Sequence, residues 1–270
     1  MYFDLDELPI EILKRKKNLF DRPNLIFSYE GKTYYYKEKL AYEYYYNEVI
    51  AEKLARQAGI SCAHYHLGCF GGADGIVSEA IDIKNYCTMK EFLEKNNRGS
   101  RKSRNTFENI WQTFAKVFSE ETTEKLMDKL VNIFLFDVII GNPDRNLGNY
   151  GLIITENSID FAPLIDNESM TFDETIKKGY YDLSFEGISK KENVLYYFLD
   201  ISDTEYQERL KKLLPLISEE NIRKIFWELE REGIKIDIDL KLRILKKFAT
   251  NRQMIENYFT EKPKTYQITK

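Results

Sequence analysis

From about Glu121 to Ile140 the periodicity predicts a helix with Leu126, Leu130, Phe134 and Val138 along one side, widened by Ile133, Phe136 and Ile140. A stripe that broad demands burial on several sides, so the rest of the fold must be built around this helix. The apolar run breaks off at Gly141. The stretch "IIGNPDRNLGNYGLI", Ile139 to Ile153, then places one acid, one arginine, three asparagines and two further glycines at the lip of the core. A β-like "YGLII" follows, with Asn157 as a turn candidate, and another short apolar segment leads to Asp166 in "IDFAPLIDNESM".

Asp144, Asn149 and Asp166 each stand where an ordered element ends, and loops held by rigid elements are where chemistry is usually placed. One arrangement uses all three. Asp144 orients or deprotonates a substrate hydroxyl, Asn149 offers a carbonyl oxygen to a magnesium ion, and Asp166 adds a carboxylate to the same metal site. Phosphoryl transfer asks for that combination of charge compensation and positioning. The simpler alternative makes Asp144, Asn146 and Asn149 turn residues that cap their own backbone. The spacing from Asp144 to Asn149 matches the D-x-x-x-x-N element of a kinase catalytic loop.

The upstream sequence supplies what such a site needs. Residues 24–37, "NLIFSYEGKTYYYK", read as a hairpin turning at Glu30-Gly31, with Lys37 at the end of its second strand. A helix from about Tyr44 to Ala58 carries Val49, Ile50, Leu54 and Ala58 on one face, with Glu48 just before that stripe, and Gly59 ends it. A strand lysine that contacts phosphates and a helix glutamate that holds it are the small-lobe requirements of a kinase. Lys39 and Lys32 compete with Lys37 for the first role, and Glu43 and Glu52 with Glu48 for the second. Leu67 to Phe70 and Ile76 to Ile81 read as strands around a "GGADG" turn. Thr88 and Glu91 have capping-box spacing at the start of a helix. Beyond about residue 187 the chain reads as all-helical, with Ser218 capping one helix and Gly233 closing it. The expected fold is α+β, with a small sheet-plus-helix lobe at 1–84 and a mainly helical lobe at 85–270.

Four stretches, "YYYK", "YNEVIAEKLARQAGI", "IIGNPDRNLGNYGLI" and "FAPLIDNESM", resemble the HipA-like serine/threonine kinases, bacterial toxin kinases in their short form, distantly related to phosphoinositide kinases. The resemblance runs from about Asn24 to Met170 and implies a bilobal kinase-like fold, ATP and Mg2+ as cofactors, and γ-phosphate transfer to a Ser/Thr hydroxyl of a protein. It implies Asp144 as catalytic base, Asn149 and Asp166 as metal ligands, and Ile81 to Ile83 as the hinge around adenine. It also implies a toxin role, a translation-related substrate, a separate antitoxin, and a separate protein in place of the additional N-terminal subdomain of longer members. Three departures stand out. Asn146 replaces a usual histidine, "IDNES" replaces the DFG-type sequence around Asp166, and no glycine-rich loop precedes Lys37. Gly68 to Gly75 follows the lysine and reads as a turn between strands. A lipid or small-molecule kinase, and a degenerate kinase serving as a binding module, are the alternative readings.

The remaining features narrow the field. Hydrophobic residues make up 43%, enough for a substantial core, and 40 basic against 44 acidic residues leave a net charge of −4. Direct nucleic-acid binding is therefore not expected. Cys62, Cys69 and Cys87 form no CxxC pair, and His64 and His66 beside them suit a strand edge better than a metal site. The N-terminus does not read as a secretion signal, and no apolar run approaches the roughly 20 residues that span a bilayer, so a cytoplasmic protein is the expectation. The loop "NNRGSRKSRNTF" offers Ser100, Ser103 and Thr106 among basic residues, as a solvated excursion, a contact for an acidic partner or RNA, or a phosphorylation site.

Overall fold

The computed structural model describes residues 2–17, 23–38, 42–81, 84–96, 107–142, 145–168, 170 and 204–260. Strands β3 (Pro23–Tyr29) and β4 (Lys32–Glu38) form the expected hairpin. Glu30 and Gly31 have φ of 48° and 75°, the left-handed pair of a type I′ turn, which matches the twist of the strands it joins. Pairing of Phe27 with Tyr34 and of Leu25 with Tyr36 sends these four side chains to one face of the sheet. There they pack with Phe3, Leu5 and Val77. Strand alternation turns Lys37 to the opposite face.

The sheet is larger than the sequence suggested. Its order is β1-β5-β6-β4-β3-β2, six strands among the described residues. The additions are β1 (Tyr2–Asp4), parallel to β5, and β2 (Glu11–Lys17), antiparallel to β3. β5 spans Tyr65–Phe70 and β6 spans Ala73–Glu79. The expected "GGADG" turn contracts to Gly71 and Gly72, because Ala73 to Gly75 already pair with β5. Gly75 is required there, since a Cβ would run into the Tyr36 ring and the Lys37 carbonyl. The strand expected to reach Ile81 ends at Glu79, and Ile81 lies beyond it.

Helix α1 (Tyr42–Gln57) is buried on almost every side from Tyr45 to Ala55. β7 (Tyr86–Thr88) leads into α2 (Met89–Asn96) through the expected capping box: Glu91 N–H donates to Thr88 Oγ1 at 3.1 Å, and Thr88 N–H donates to Glu91 Oε2 at 2.9 Å. These hydrogen bonds hold the Glu91 carboxyl below its ordinary pKa. α3 (Phe107–Val117) packs beside α4 (Glu120–Ile140), the long apolar helix. Ser119 caps α4, accepting from Thr122 N–H at 3.3 Å, and Gly141 ends it at φ 65°. β8 (Gly151–Ile154) pairs with β7 and β9 (Ile159–Phe161) to form a three-stranded sheet.

Among the described residues three α-helices follow, α5 (Thr204–Leu213), α6 (Glu219–Arg231) and α7 (Ile238–Thr260). Ser218 caps α6 as expected, accepting from Asn221 N–H, and Gly233 follows the helix at φ 87°. One apolar core joins α1, α4, β8 and these helices. No described helix is long and apolar enough to cross a membrane.

Candidate functional site

The buried end of α4 organises the site. Asp137 is the only charged residue between Leu130 and Ile140, and it is 1% exposed. A carboxylate there needs a cation, and fully buried Arg145 provides it. Arg145 Nε donates to Asp137 Oδ2 at 2.9 Å and Nη2 to Oδ1 at 2.8 Å, a two-pronged pair. Burial alone would lower the Arg145 pKa, but Asp137 outweighs it and raises the guanidinium above its ordinary range. Asn142 Nδ2 adds a third donor to Asp137 at 3.1 Å.

The remaining guanidinium N–H groups reach two loops at once. Nη1 donates to the carbonyl oxygens of Asn149 at 3.3 Å and Ile165 at 2.7 Å, and Nη2 to Asn167 Oδ1 at 2.5 Å. One cation thus pins the loop after α4 to the segment carrying Asp166. Asn146 is exposed and shapes its loop locally: its Oδ1 accepts from Gly148 N–H at 2.9 Å, and its carbonyl accepts from Asn149 N–H at 2.9 Å. That is the turn-forming use expected of such a residue. Asn149 is 7% exposed.

The Asp166 segment is gripped from the other side as well. Leu164 bridges in parallel to Cys62, and Asp166 N–H donates to the Tyr65 hydroxyl at 3.2 Å. Burial pushes both the Cys62 thiol and the Tyr65 hydroxyl well above their ordinary pKa values. On α1, Glu48 Oε2 accepts from Asn167 N–H at 2.8 Å, and Asn47 Nδ2 donates to the carbonyls of Glu168 at 2.7 Å and Met170 at 3.1 Å. Asp166 itself has φ 62°, a left-handed conformation uncommon outside glycine and concentrated at functional sites.

Lys37 faces this loop. Its ammonium lies 3.4 Å from Asp166 Oδ1 and 3.5 Å from Glu168 Oε2. The partner expected for it was Glu48, whose carboxylate is instead bonded to the Asn167 amide groups. Glu48, Asp166 and Glu168 nonetheless each place a carboxylate oxygen within 4.8 Å of the others. Such hard oxygen donors suit magnesium, which binds few protein groups and takes the rest of its shell from water and phosphates. Of the competing residues, Lys32 pairs with Glu79 at 2.6 Å on the surface, and buried Glu52 accepts from His64 Nδ1 at 2.8 Å. Burial would raise the Glu52 carboxyl, but His64 and Arg56 overcome it and hold it low.

Ile81 is half-buried beyond β6. Asp144, Ile83, Lys39, Ser100, Ser103 and Thr106, and the side chain of Glu43, lie outside the described residues. His64 and His66 meet edge to face, with ring centroids 4.3 Å apart, and join neither cluster of metal-capable groups found among the described residues. Sequence reasoning missed Asp137, Asn167, Asn47, Tyr65 and the buried role of Arg145. The available signal was Asp137, a lone acid in an apolar helix.

Comparison with known proteins bears on the fold. The HipA-like C-terminal domain model matches residues 22–232. The crystal structure of the Helicobacter pylori proinflammatory kinase CtkA is similar with a TM-score of 0.72 at 16% identity, covering 96% of this chain and 97% of CtkA. HipA of Shewanella oneidensis MR-1, solved with HipB and operator DNA, is similar with a TM-score of 0.61 at 16% identity, covering 93% of this chain and 66% of the HipA chain. None of the curated proteins compared matches the sequence significantly. The architecture is that of the kinase-like fold, and the chain belongs to the HipA-like C-terminal domain family.

Proposed function

We propose that this chain is an ATP- and Mg2+-dependent kinase that transfers the γ-phosphate to a Ser/Thr hydroxyl of a protein. The observation that carries the reading is the meeting of Lys37, from the sheet, with Asp166, from the loop behind α4, at 3.4 Å. Lys37 contacts the nucleotide phosphates, with Glu48 as its partner once nucleotide draws the ammonium away from Asp166 and Glu168. Asn149 and Asp166 hold the metal, which supplies charge neutralisation on the phosphates. Asp144 orients the acceptor hydroxyl and takes its proton, Asn146 shapes the loop that carries it, and Ile81 and Ile83 flank the adenine. Placing the lobe division at residues 84 and 85 belongs to the same reading, since β6 ends at Glu79 and β7 begins at Tyr86.

A toxin role with a separate antitoxin is supported by the Shewanella relative, whose structure contains HipB and operator DNA. This chain spans 66% of the matched chain in that structure. A translation-related acceptor and a cytoplasmic location complete the proposal.

The test is transfer from radiolabelled ATP with magnesium, comparing the natural chain with Asp144→Ala and Asp166→Ala. Label on this protein or on a lysate protein, lost in both variants, is the expected result. A second reading, a nucleotide-binding module without transfer, is favoured by one observation: residues 18–22 between β2 and β3 read "NLFDR", with no glycine to let backbone close over phosphates. ATP binding without label transfer to any acceptor would support it.

A further inference from the structure

We propose that Asn167 is a positioning residue for the metal–nucleotide complex, joining Glu48 of α1 to Arg145 so that Asp166 is held toward Lys37. The proposal rests on the kinase reading and extends it to a residue that does not touch substrate.

Asn167 is 0% exposed and connects charged groups from two separate elements. Its Oδ1 accepts from Arg145 Nη2 at 2.5 Å. Its backbone N–H donates to Glu48 Oε2 at 2.8 Å, and Nδ2 lies 3.4 Å from the same oxygen and 3.6 Å from Cys62 Sγ. The amide orientation follows from chemistry, because a guanidinium only donates and a carboxylate only accepts. A carboxamide meets both needs with separate atoms, its oxygen accepting from the guanidinium and its nitrogen donating toward the carboxylate. A carboxylate at this position would face Glu48 with no donor, and an apolar group would leave buried N–H and carboxylate atoms short of partners.

Protein kinases place a phenylalanine after the metal-binding aspartate, and its packing sets the active and inactive arrangements. Here the corresponding contact is polar. It is supported on both sides, since Asn47, next to Glu48 on α1, holds the carbonyls of Glu168 and Met170. Asp166, immediately before Asn167, occupies its left-handed conformation between this joint and the Tyr65 hydroxyl. The orientation of its carboxylate therefore depends on α1 and α4 together.

The experiment uses the full chain with Asn167→Ala and Asn167→Asp. Circular dichroism establishes folding, calorimetry measures ATP binding without metal, and electron paramagnetic resonance measures Mn2+ binding in the presence of ATP. The expected result is unchanged metal-free ATP binding with Mn2+ binding weakened about 10–100-fold, the range for groups that orient metal ligands. Asn167→Asp keeps the acceptor for Arg145 and the backbone N–H to Glu48 but turns the side-chain donor into a charged carboxylate oxygen facing Glu48, so it strains this joint alone and decides the matter if Asn167→Ala does not fold. Natural chain that binds neither ATP nor Mn2+ with ATP overturns the kinase reading and this proposal with it. Natural chain that binds both, with variants that bind Mn2+ equally well, overturns this proposal alone. Equal loss of metal-free ATP binding, or failure of both variants to fold, assigns Asn167 a purely structural role and also overturns it.

Discussion

Asp137 and Arg145 bury opposite charges at 1% and 0% exposure, and their energetics are asymmetric. Removing one partner strands the other charge in a dry site. Asp137→Ala is expected to lower stability by about 3–5 kcal/mol, read from the midpoint of urea unfolding. Loss under 1 kcal/mol would mean that water reaches Arg145. A second residue-scale prediction concerns His66, which burial and then neighbouring His64 push down to about 4. An unfolded histidine titrates near 6.5. Between those values the unfolded chain takes up a proton that the folded chain refuses, so this contribution is intact above about 6.5 and is lost as pH falls toward 4. Urea midpoints at pH 7 and pH 5 should therefore differ more for the natural chain than for His66→Gln. Equal differences would remove His66 as the cause.

At the scale of elements, the legible parts were those with strong local chemistry. The Glu30–Gly31 turn, the Thr88–Glu91 box, the Ser218 cap and the Gly141 stop depend on residues within four positions of one another, so sequence displays them. β2 was not legible because it is an edge strand whose "EILKRKK" shows no clean alternation; lysines there discourage pairing with another sheet. β1 is three residues long and takes its place from β5, more than sixty positions away. The candidate site divides in the same way: Lys37, Glu48, Asn149 and Asp166 carry recognisable spacing, whereas Asn167 and Tyr65 acquire partners only through folding. Two predictions belong here. Glu30 holds φ 48° without the tolerance of asparagine, so Glu30→Asn should stabilise the hairpin by about 0.5 kcal/mol, seen as a higher thermal midpoint. Gly151 lies opposite Thr88, and a Cβ would strike the backbone of β7. Gly151→Ala should cost about 1–3 kcal/mol and speed amide exchange across β7 and β8, while unchanged exchange would show that the two strands can separate without loss.

For the whole molecule, one apolar core runs from α1 through α4 to α7, while the polar joint around Arg145 links the loops lying on it. Ligand binding beside that joint, at Lys37 and Asp166, is expected to stabilise the entire described fold. With magnesium and ATP at about one hundred times the dissociation constant, linkage adds about 2.7 kcal/mol. Thermal unfolding should shift upward as a single transition, and Asp166→Ala should abolish the metal-dependent part of the shift. A shift confined to one of two separate transitions would mean that the sheet and the helical part unfold independently.

The Asp137–Arg145 pair also has a consequence for descent. Either single replacement leaves a buried ion alone, whereas exchanging both for apolar residues is often close to neutral. A lineage cannot drift at one position and repair the other later without passing through a damaged protein. The two positions should therefore behave as one heritable character, kept together or lost together.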